Sequence, residues 1–221
     1  MAFDAVLWDM DGTLVDTERV VWDVMKDAFR EIVGILLDES LFHSLLGQSE
    51  NDFFDTVQRL FGLNDAEVQE IGARFNHDYV PRLSDIPALP GAVEAVRHTQ
   101  LAGPIALVTG STLKQAEAVV KALRVKGLFD EIVACDHYER GKPHPEPYLM
   151  AAKKLGVKAD KCLAIEDSPS GVKAAKAAGM KVIGVHEGNK GKYDIAHADL
   201  EIPSLVDFDL LKVAKSLGVL K

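Results

Sequence analysis

The chain is poor in cysteine, in positive charge and in long apolar runs, and each shortage removes a class of protein. Its two cysteines, Cys135 and Cys162, lie in separate apolar segments with no CxxC or Cys/His spacing. They read as buried reduced thiols, so no disulfide framework and no zinc site is expected. Lys and Arg number 25 against 34 Asp and Glu, a net charge of -9. That balance argues against nucleic acid or an anionic membrane as the main partner, although a local pocket can still be positive. No segment approaches ~18 uninterrupted apolar residues, so no membrane span is expected. The opening Met-Ala-Phe-Asp has neither the basic region nor the apolar stretch of a signal peptide, and a cytoplasmic protein is the simplest expectation. The seven histidines are scattered without ligand spacing. What is present is ordinary globular composition, 48% hydrophobic and 27% charged over 221 residues. That length suits one large domain or a medium domain carrying a smaller one, expected as a monomer or weak dimer.

The most informative stretch runs Ala5-Val-Leu-Trp-Asp9-Met-Asp11-Gly12-Thr13-Leu14-Val-Asp16-Thr17. A short apolar run ends abruptly in two carboxylates one residue apart, and Gly-Thr then turns the chain. A buried strand delivering Asp9 and Asp11 at its C-terminal end would place them where open α/β sheets bind ligands. The two-residue period puts both side chains on one side of an extended chain. Neighbouring carboxylates repel, so a divalent cation is the natural third member. An acidic turn after a strand is the plainer reading, but D-x-D-G-T arises by chance in only on the order of one in several hundred chains this long.

After Thr17 the periodicity becomes helical. Val21, Val24, Met25, Ala28 and Ile32 share one face, with Asp16 or Thr17 as candidate N-cap and Gly34 as candidate stop. Further helical stretches are expected at 38–46, 49–61 and 65–83, with no β-rich interruption. Beyond the Pro/Gly punctuation of Ile86-Pro-Ala-Leu-Pro90-Gly91, short apolar runs alternate with helices. Strands are expected at 105–108, 131–134, 161–165, 182–185 and near Leu200. Ser111 is the expected cap of a helix reaching Leu123, Ser168-Pro169 opens another, and a helix over 203–217 closes the chain. The pattern predicts an α/β fold, a Rossmann-like doubly wound parallel sheet formed by residues 1–16 and 86–221, with an inserted all-helical domain over 17–85.

Three strand ends carry polar groups: Asp9 and Asp11, Thr109, and Glu166 with Asp167. Lys142 lies between the last two, in Gly141-Lys142-Pro143-His144-Pro145. In a parallel sheet all C-terminal strand ends face one rim, so these groups can converge. Carboxylates from two strands suit Mg²⁺ together with a substrate phosphate. A hydroxyl, an ammonium and a helix N-terminus at Ser111 suit phosphoryl oxygens, and a free carboxylate can attack phosphorus.

The chain resembles the haloacid dehalogenase (HAD) superfamily of phosphohydrolases, near its beta-phosphoglucomutase and phosphoglycolate phosphatase branch. The resemblance rests on four motifs in the family's order. They are Asp9-x-Asp11-Gly-Thr-Leu-x-Asp16-Thr17-Glu18, Leu107-Val-Thr109-Gly-Ser111, Gly141-Lys142-Pro143-x-Pro145 and Ile165-Glu166-Asp167-Ser168. It implies Asp9 as nucleophile and metal ligand, and Asp11 as general acid/base whose carbonyl touches the metal. Thr109 and Lys142 would hold phosphoryl oxygens, and Gly12, Thr13 and Gly110 would offer backbone contacts. Asp167 would bind Mg²⁺ directly, and Glu166 directly or through water. The inserted helices would be a cap that closes over the substrate.

Two enzyme readings and one non-enzyme reading follow from the resemblance. Water attacking an aspartyl-phosphate makes a phosphatase; a substrate hydroxyl doing so makes a sugar-phosphate mutase; retention of the fold for binding or regulation makes neither. Beta-phosphoglucomutase carries a His just after the hinge and cations around a cap glycine. Here Val20-Val21 and Leu45-Leu46-Gly47-Gln48-Ser49-Glu50-Asn51 stand in those places, without a cation. Gly47 and Gln48 are instead candidates to hydrogen-bond a polar substrate. The expectation is a Mg²⁺-dependent phosphatase acting on a small phosphorylated metabolite such as a sugar phosphate.

Overall fold

The computed structural model describes residues 2–45, 50–188 and 190–220, with the side chains of all of these except 43 and 50–52. The chain divides into two compact units, Met1–Asp16 with Asp85–Lys221, and Thr17–Ser84.

The first strand, β1 (Ala5–Trp8), is buried at all four positions. The chain then leaves for the smaller unit, built from α1 (Glu18–Val33), α2 (Glu39–Leu45), α3 (Glu50–Phe61) and α4 (Asp65–Arg82). Of the apolar face expected of α1, Val24, Met25 and Ala28 are buried while Val21 and Ile32 are half-buried, and Phe29 is buried beside them; α4 buries Ile71, Phe75 and Tyr79. Aromatic pairs bind the helices: Trp22 with Phe42 at 5.2 Å, and Phe29 with Phe61 at 5.9 Å between ring centroids. Asn64 and Glu67 form a reciprocal capping box at the start of α4. Thr17 occupies the N-cap of α1 but makes no side-chain cap bond, and Gly34 ends that helix in the left-handed region.

The larger unit resumes with α5 (Ala92–Ala102), β2 (Ile105–Val108), α6 (Leu113–Ala122), β3 (Glu131–Val133), α7 (Glu146–Lys154), β4 (Cys162–Glu166), α8 (Pro169–Ala177), β5 (Lys181–Val185), β6 (Leu200–Ile202) and α9 (Leu210–Ser216). The strands make one six-stranded sheet in the order β3-β2-β1-β4-β5-β6, parallel throughout. This is the doubly wound α/β architecture that the alternating pattern predicts. Alternation along β1 sends Leu7 to one face, where it joins Tyr148 and Ala151 of α7 and Val172 and Ala175 of α8. Trp8 goes to the other face, where its indole N–H donates to Thr99 Oγ1 of α5 at 3.2 Å. Both faces are therefore covered, which is why the strands read as unbroken apolar runs. The order reverses at β1 and β4, and the crevice that binds ligands in such sheets opens over their carboxyl ends. Among the described residues no helix is long and apolar enough to cross a membrane.

Two local expectations are corrected. The last helix spans only Leu210–Ser216, because Asp209 accepts hydrogen bonds from the amides of Leu211 and Lys212 and so fixes a later start. The cap of α6 is Thr112, in a capping box with Gln115, and not Ser111.

Asp199 ties the end of this sheet together. Its carboxylate accepts from Lys176 Nζ at 2.8 Å, Lys181 Nζ at 3.0 Å and the Val182 amide at 2.9 Å. Burial alone would raise its pKa, but these three donors hold it below the ordinary carboxylate range. The stabilisation is therefore full above the unfolded value of about 4 and is lost as pH falls through the lower folded value. Asp199→Asn is expected to cost about 1 kcal/mol at pH 7, and distinctly less near pH 3, in denaturant titrations at the two pH values. An equal loss at both would contradict the assignment.

Candidate active site

Backbone pairing carries the key side chains to the rim of the sheet. The Asp9 amide donates to Ile165 O and the Thr109 amide to Val133 O, both at 2.9 Å, so each residue extends its strand by one position. The chain then turns: Gly12 N donates to Val15 O and Leu14 N to Met10 O, both at 2.8 Å, with Gly12 at φ +80°. A Cβ on Gly12 would lie 2.1 Å from Asp167 Oδ2, so only glycine lets the turn rest against that carboxylate.

Around this turn one ammonium holds three strand ends. Lys142 Nζ donates to Asp9 Oδ1 at 2.5 Å, to Glu166 Oε1 at 2.5 Å and to Val108 O at 3.0 Å. Those bonds use its three protons. Glu166 is wholly buried and well supplied with donors. Its Oε1 also accepts from the Tyr148 hydroxyl at 2.7 Å, while Oε2 faces the Asp167 amide at 3.2 Å and the Ser168 hydroxyl at 3.2 Å. The Tyr148 ring lies under the ammonium, 5.2 Å from centroid to Nζ. Asp11 is held apart from this cluster. Its Oδ2 accepts from Thr109 Oγ1 at 3.1 Å and from Ser111 Oγ at 2.9 Å, and Thr109 Oγ1 in turn accepts from the Ser111 amide.

The electrostatics follow from burial. Desolvation, and then the Glu166 charge, push the Asp9 carboxyl up to about 8 against the opposing pull of Lys142. Desolvation, with Asp9 and Glu166 nearby, holds Asp167 well above its ordinary range. Burial works against the Lys142 charge, but Asp9 and Glu166 outweigh it and the ammonium stays protonated. Asp9, Glu166 and Asp167 each offer an oxygen within 4.8 Å of the others. Three buried hard oxygens with one compensating ammonium leave negative charge in excess, a donor set that fits a divalent cation such as Mg²⁺.

Asp9, Asp11, Thr109, Lys142, Glu166 and Asp167 are thus brought together, with Gly12, Thr13, Gly110 and Ser111 on the same loops. Gly47 and Gln48 lie outside the described residues. Three features went unread in the sequence. Tyr148 looks like an ordinary apolar-face residue of α7, Ser111 passes for a helix cap although its hydroxyl serves Asp11, and Asp16 pairs with Lys190 at 3.2 Å while Thr17 holds the N-cap position of α1. For Tyr148 the available signal is a hydroxyl-bearing ring one turn into a helix that begins just after Lys142.

Comparison with known proteins identifies the family. A family model described as haloacid dehalogenase-like hydrolase matches residues 3–179. The chain belongs to that family. Among curated relatives, fructose-1-phosphate phosphatase YqaB of Escherichia coli is 31% identical over 83% of this chain and 96% of its own length. A bifunctional riboflavin kinase/FMN phosphatase of Arabidopsis thaliana is 34% identical over 94% of this chain, which spans only 55% of that protein. Among solved structures, beta-phosphoglucomutase of Clostridium difficile superposes with a TM-score of 0.82 at 26% identity, covering 98% of this chain and 97% of the other.

Removing the ammonium would strand two buried carboxylates. Lys142→Met is expected to lower stability by about 3 kcal/mol in urea titrations at pH 7.5, whereas Lys154→Met, at an exposed pair, should cost under about 1 kcal/mol. Equal losses would contradict the central place given to Lys142.

Proposed function

We propose that the protein is a Mg²⁺-dependent phosphatase that hydrolyses a small phosphate monoester, a sugar phosphate in the first instance, through an aspartyl-phosphate on Asp9. The observation that carries this reading is the buried Asp9 carboxylate held by Lys142 beside Asp167, with a second carboxylate, Asp11, on hydroxyls at the same rim. The named phosphatases among its relatives support the substrate class.

Asp9 attacks phosphorus as an anion, and Lys142 fixes its position and offsets its charge. Mg²⁺ held by Asp9 and Asp167, with Glu166 close by, would supply the remaining positive charge, keeping Asp9 ionised and drawing charge from the phosphoryl group. As the new bond from Asp9 to phosphorus forms, the bond to the substrate oxygen breaks, and a protonated Asp11 gives that oxygen its proton. Asp11, now a carboxylate, takes a proton from water. The resulting hydroxide attacks phosphorus, and the bond to Asp9 breaks to release inorganic phosphate. Thr109 has one hydroxyl proton, now given to Asp11. Turning it to a phosphoryl oxygen would leave Asp11 Oδ2 on the Ser111 hydroxyl, so substrate arrival would loosen one of the two holds on the acid/base. The smaller unit would be the cap that closes over the bound substrate and keeps bulk solvent away while admitting the one water that Asp11 activates.

A mutase is the second reading, favoured by the structural likeness to beta-phosphoglucomutase. The sequence around Gly47 opposes it, because no cation is there to grip a second phosphate and Glu50 would repel one.

The test is phosphate release across sugar phosphates, phosphoglycolate and nucleoside monophosphates, with beta-glucose 1-phosphate assayed for conversion to glucose 6-phosphate. Free phosphate is expected, and isomerised sugar with little free phosphate would establish the mutase. Asp9→Asn and Asp11→Ala should each lower kcat by about 10³-fold or more with the fold intact. EDTA should stop turnover and Mg²⁺ restore it; activity indifferent to chelation would overturn the metal's role.

A further inference from the structure

The loop after β5 touches the catalytic turn more closely than any side chain permits. A Cβ added to Gly188 would lie 1.9 Å from Gly12 O, 2.5 Å from its carbonyl carbon and 2.6 Å from its Cα. Gly188 does not have a positive φ, so backbone freedom is no reason for glycine there. Close approach is the remaining reason. Gly12 in turn rests on Asp167, with a Cβ position 2.1 Å from Oδ2. The turn is therefore held between the Gly188 backbone on one side and the Asp167 carboxylate on the other. Two residues further on, Lys190 Nζ reaches Asp16 Oδ2 at 3.2 Å, so the same loop grips the catalytic segment again where it leaves the sheet unit. Both residues lie beyond the stretch matched by the family model, which ends at residue 179.

We propose that Gly188 and Lys190 form a seat for the catalytic turn, and that Gly188 is a positioning residue setting the spacing between Asp9 and Asp167. The metal half of this inference rests on the Mg²⁺ reading above. A methyl group at position 188 has to displace Gly12 or the loop by about 1 Å, and misplacement on that scale costs up to roughly 100-fold in a catalytic site.

The experiment compares wild type with Gly188→Ala, Lys190→Ala and the control Gly127→Ala, whose Cβ meets nothing within 4 Å. Mg²⁺ binding is read by calorimetry, and exchange of the Gly12 and Leu14 amides, which close the turn, by NMR without metal. In Gly188→Ala, Mg²⁺ affinity should fall about 10-fold or more, kcat should fall further than KM rises, and both amides should exchange faster; Gly127→Ala should match wild type. Lys190→Ala, an exposed change that spares the fold, should speed the same amides about 2-fold. That arm decides the matter should Gly188→Ala fail to fold. Mg²⁺ affinity within 2-fold of wild type in folded Gly188→Ala, or turn amides unmoved in both loop variants, would overturn the seat. Wild-type protein that takes up no Mg²⁺ would sink the metal reading, and the amide exchange would still judge the seat by itself.

Discussion

Three buried carboxylates share one ammonium, and much of the sheet unit is arranged around that imbalance. Lys142 bonds at once to Asp9 just after β1, to a carbonyl of β2 and to the last residue of β4. It therefore fastens three neighbouring strands at their carboxyl ends as well as neutralising charge. Buried like charges are tolerable only when paired or when a cation is shared among them, and one lysine cannot satisfy Asp9, Glu166 and Asp167 together. The raised pKa values of Asp9 and Asp167 express the same shortfall. Stability and chemistry meet here: the crowding of buried carboxylates that raises these pKa values is what a divalent cation would relieve.

The parallel sheet makes the convergence inexpensive. Each strand ends on the same rim, so residues more than 150 positions apart need only extend their strands by one residue to meet. The finer spacing comes from contacts between backbone and carboxylate. Gly12 lies against Asp167, and Gly188 against Gly12, each too close for a Cβ to fit between. Asp11 sits outside this packed stack, on two hydroxyls, which suits the proton transfers proposed for it.

Most of the architecture was legible because it depends on periodicity and punctuation. Buried runs such as Ile105–Val108 and the Ser168-Pro169 helix start mark strands and helices by local chemistry, and β2 and α8 follow them closely. The convergence of Asp9, Thr109, Lys142 and Glu166 was legible because the carboxyl ends of parallel strands face one rim. Tertiary contacts were not legible. Ser111 has cap chemistry, yet Thr112 with Gln115 offers a reciprocal cap and leaves Ser111 to Asp11. The 203–217 stretch has helical composition, but Asp209 competes for the start and wins. Tyr148 and Gly188 owe their places to residues far off in sequence, Glu166 and Gly12, and no local pattern announces such partners.

The most direct test of the nucleophile is to trap it. Protein mixed for milliseconds with a ³²P-labelled sugar phosphate and Mg²⁺, then quenched in acid and digested, should carry an alkali-labile label on the peptide containing Asp9, and Asp9→Asn should carry none. Phosphate released without any labelled Asp9 peptide at the earliest times, or a label retained in Asp9→Asn, would contradict an aspartyl-phosphate on that residue.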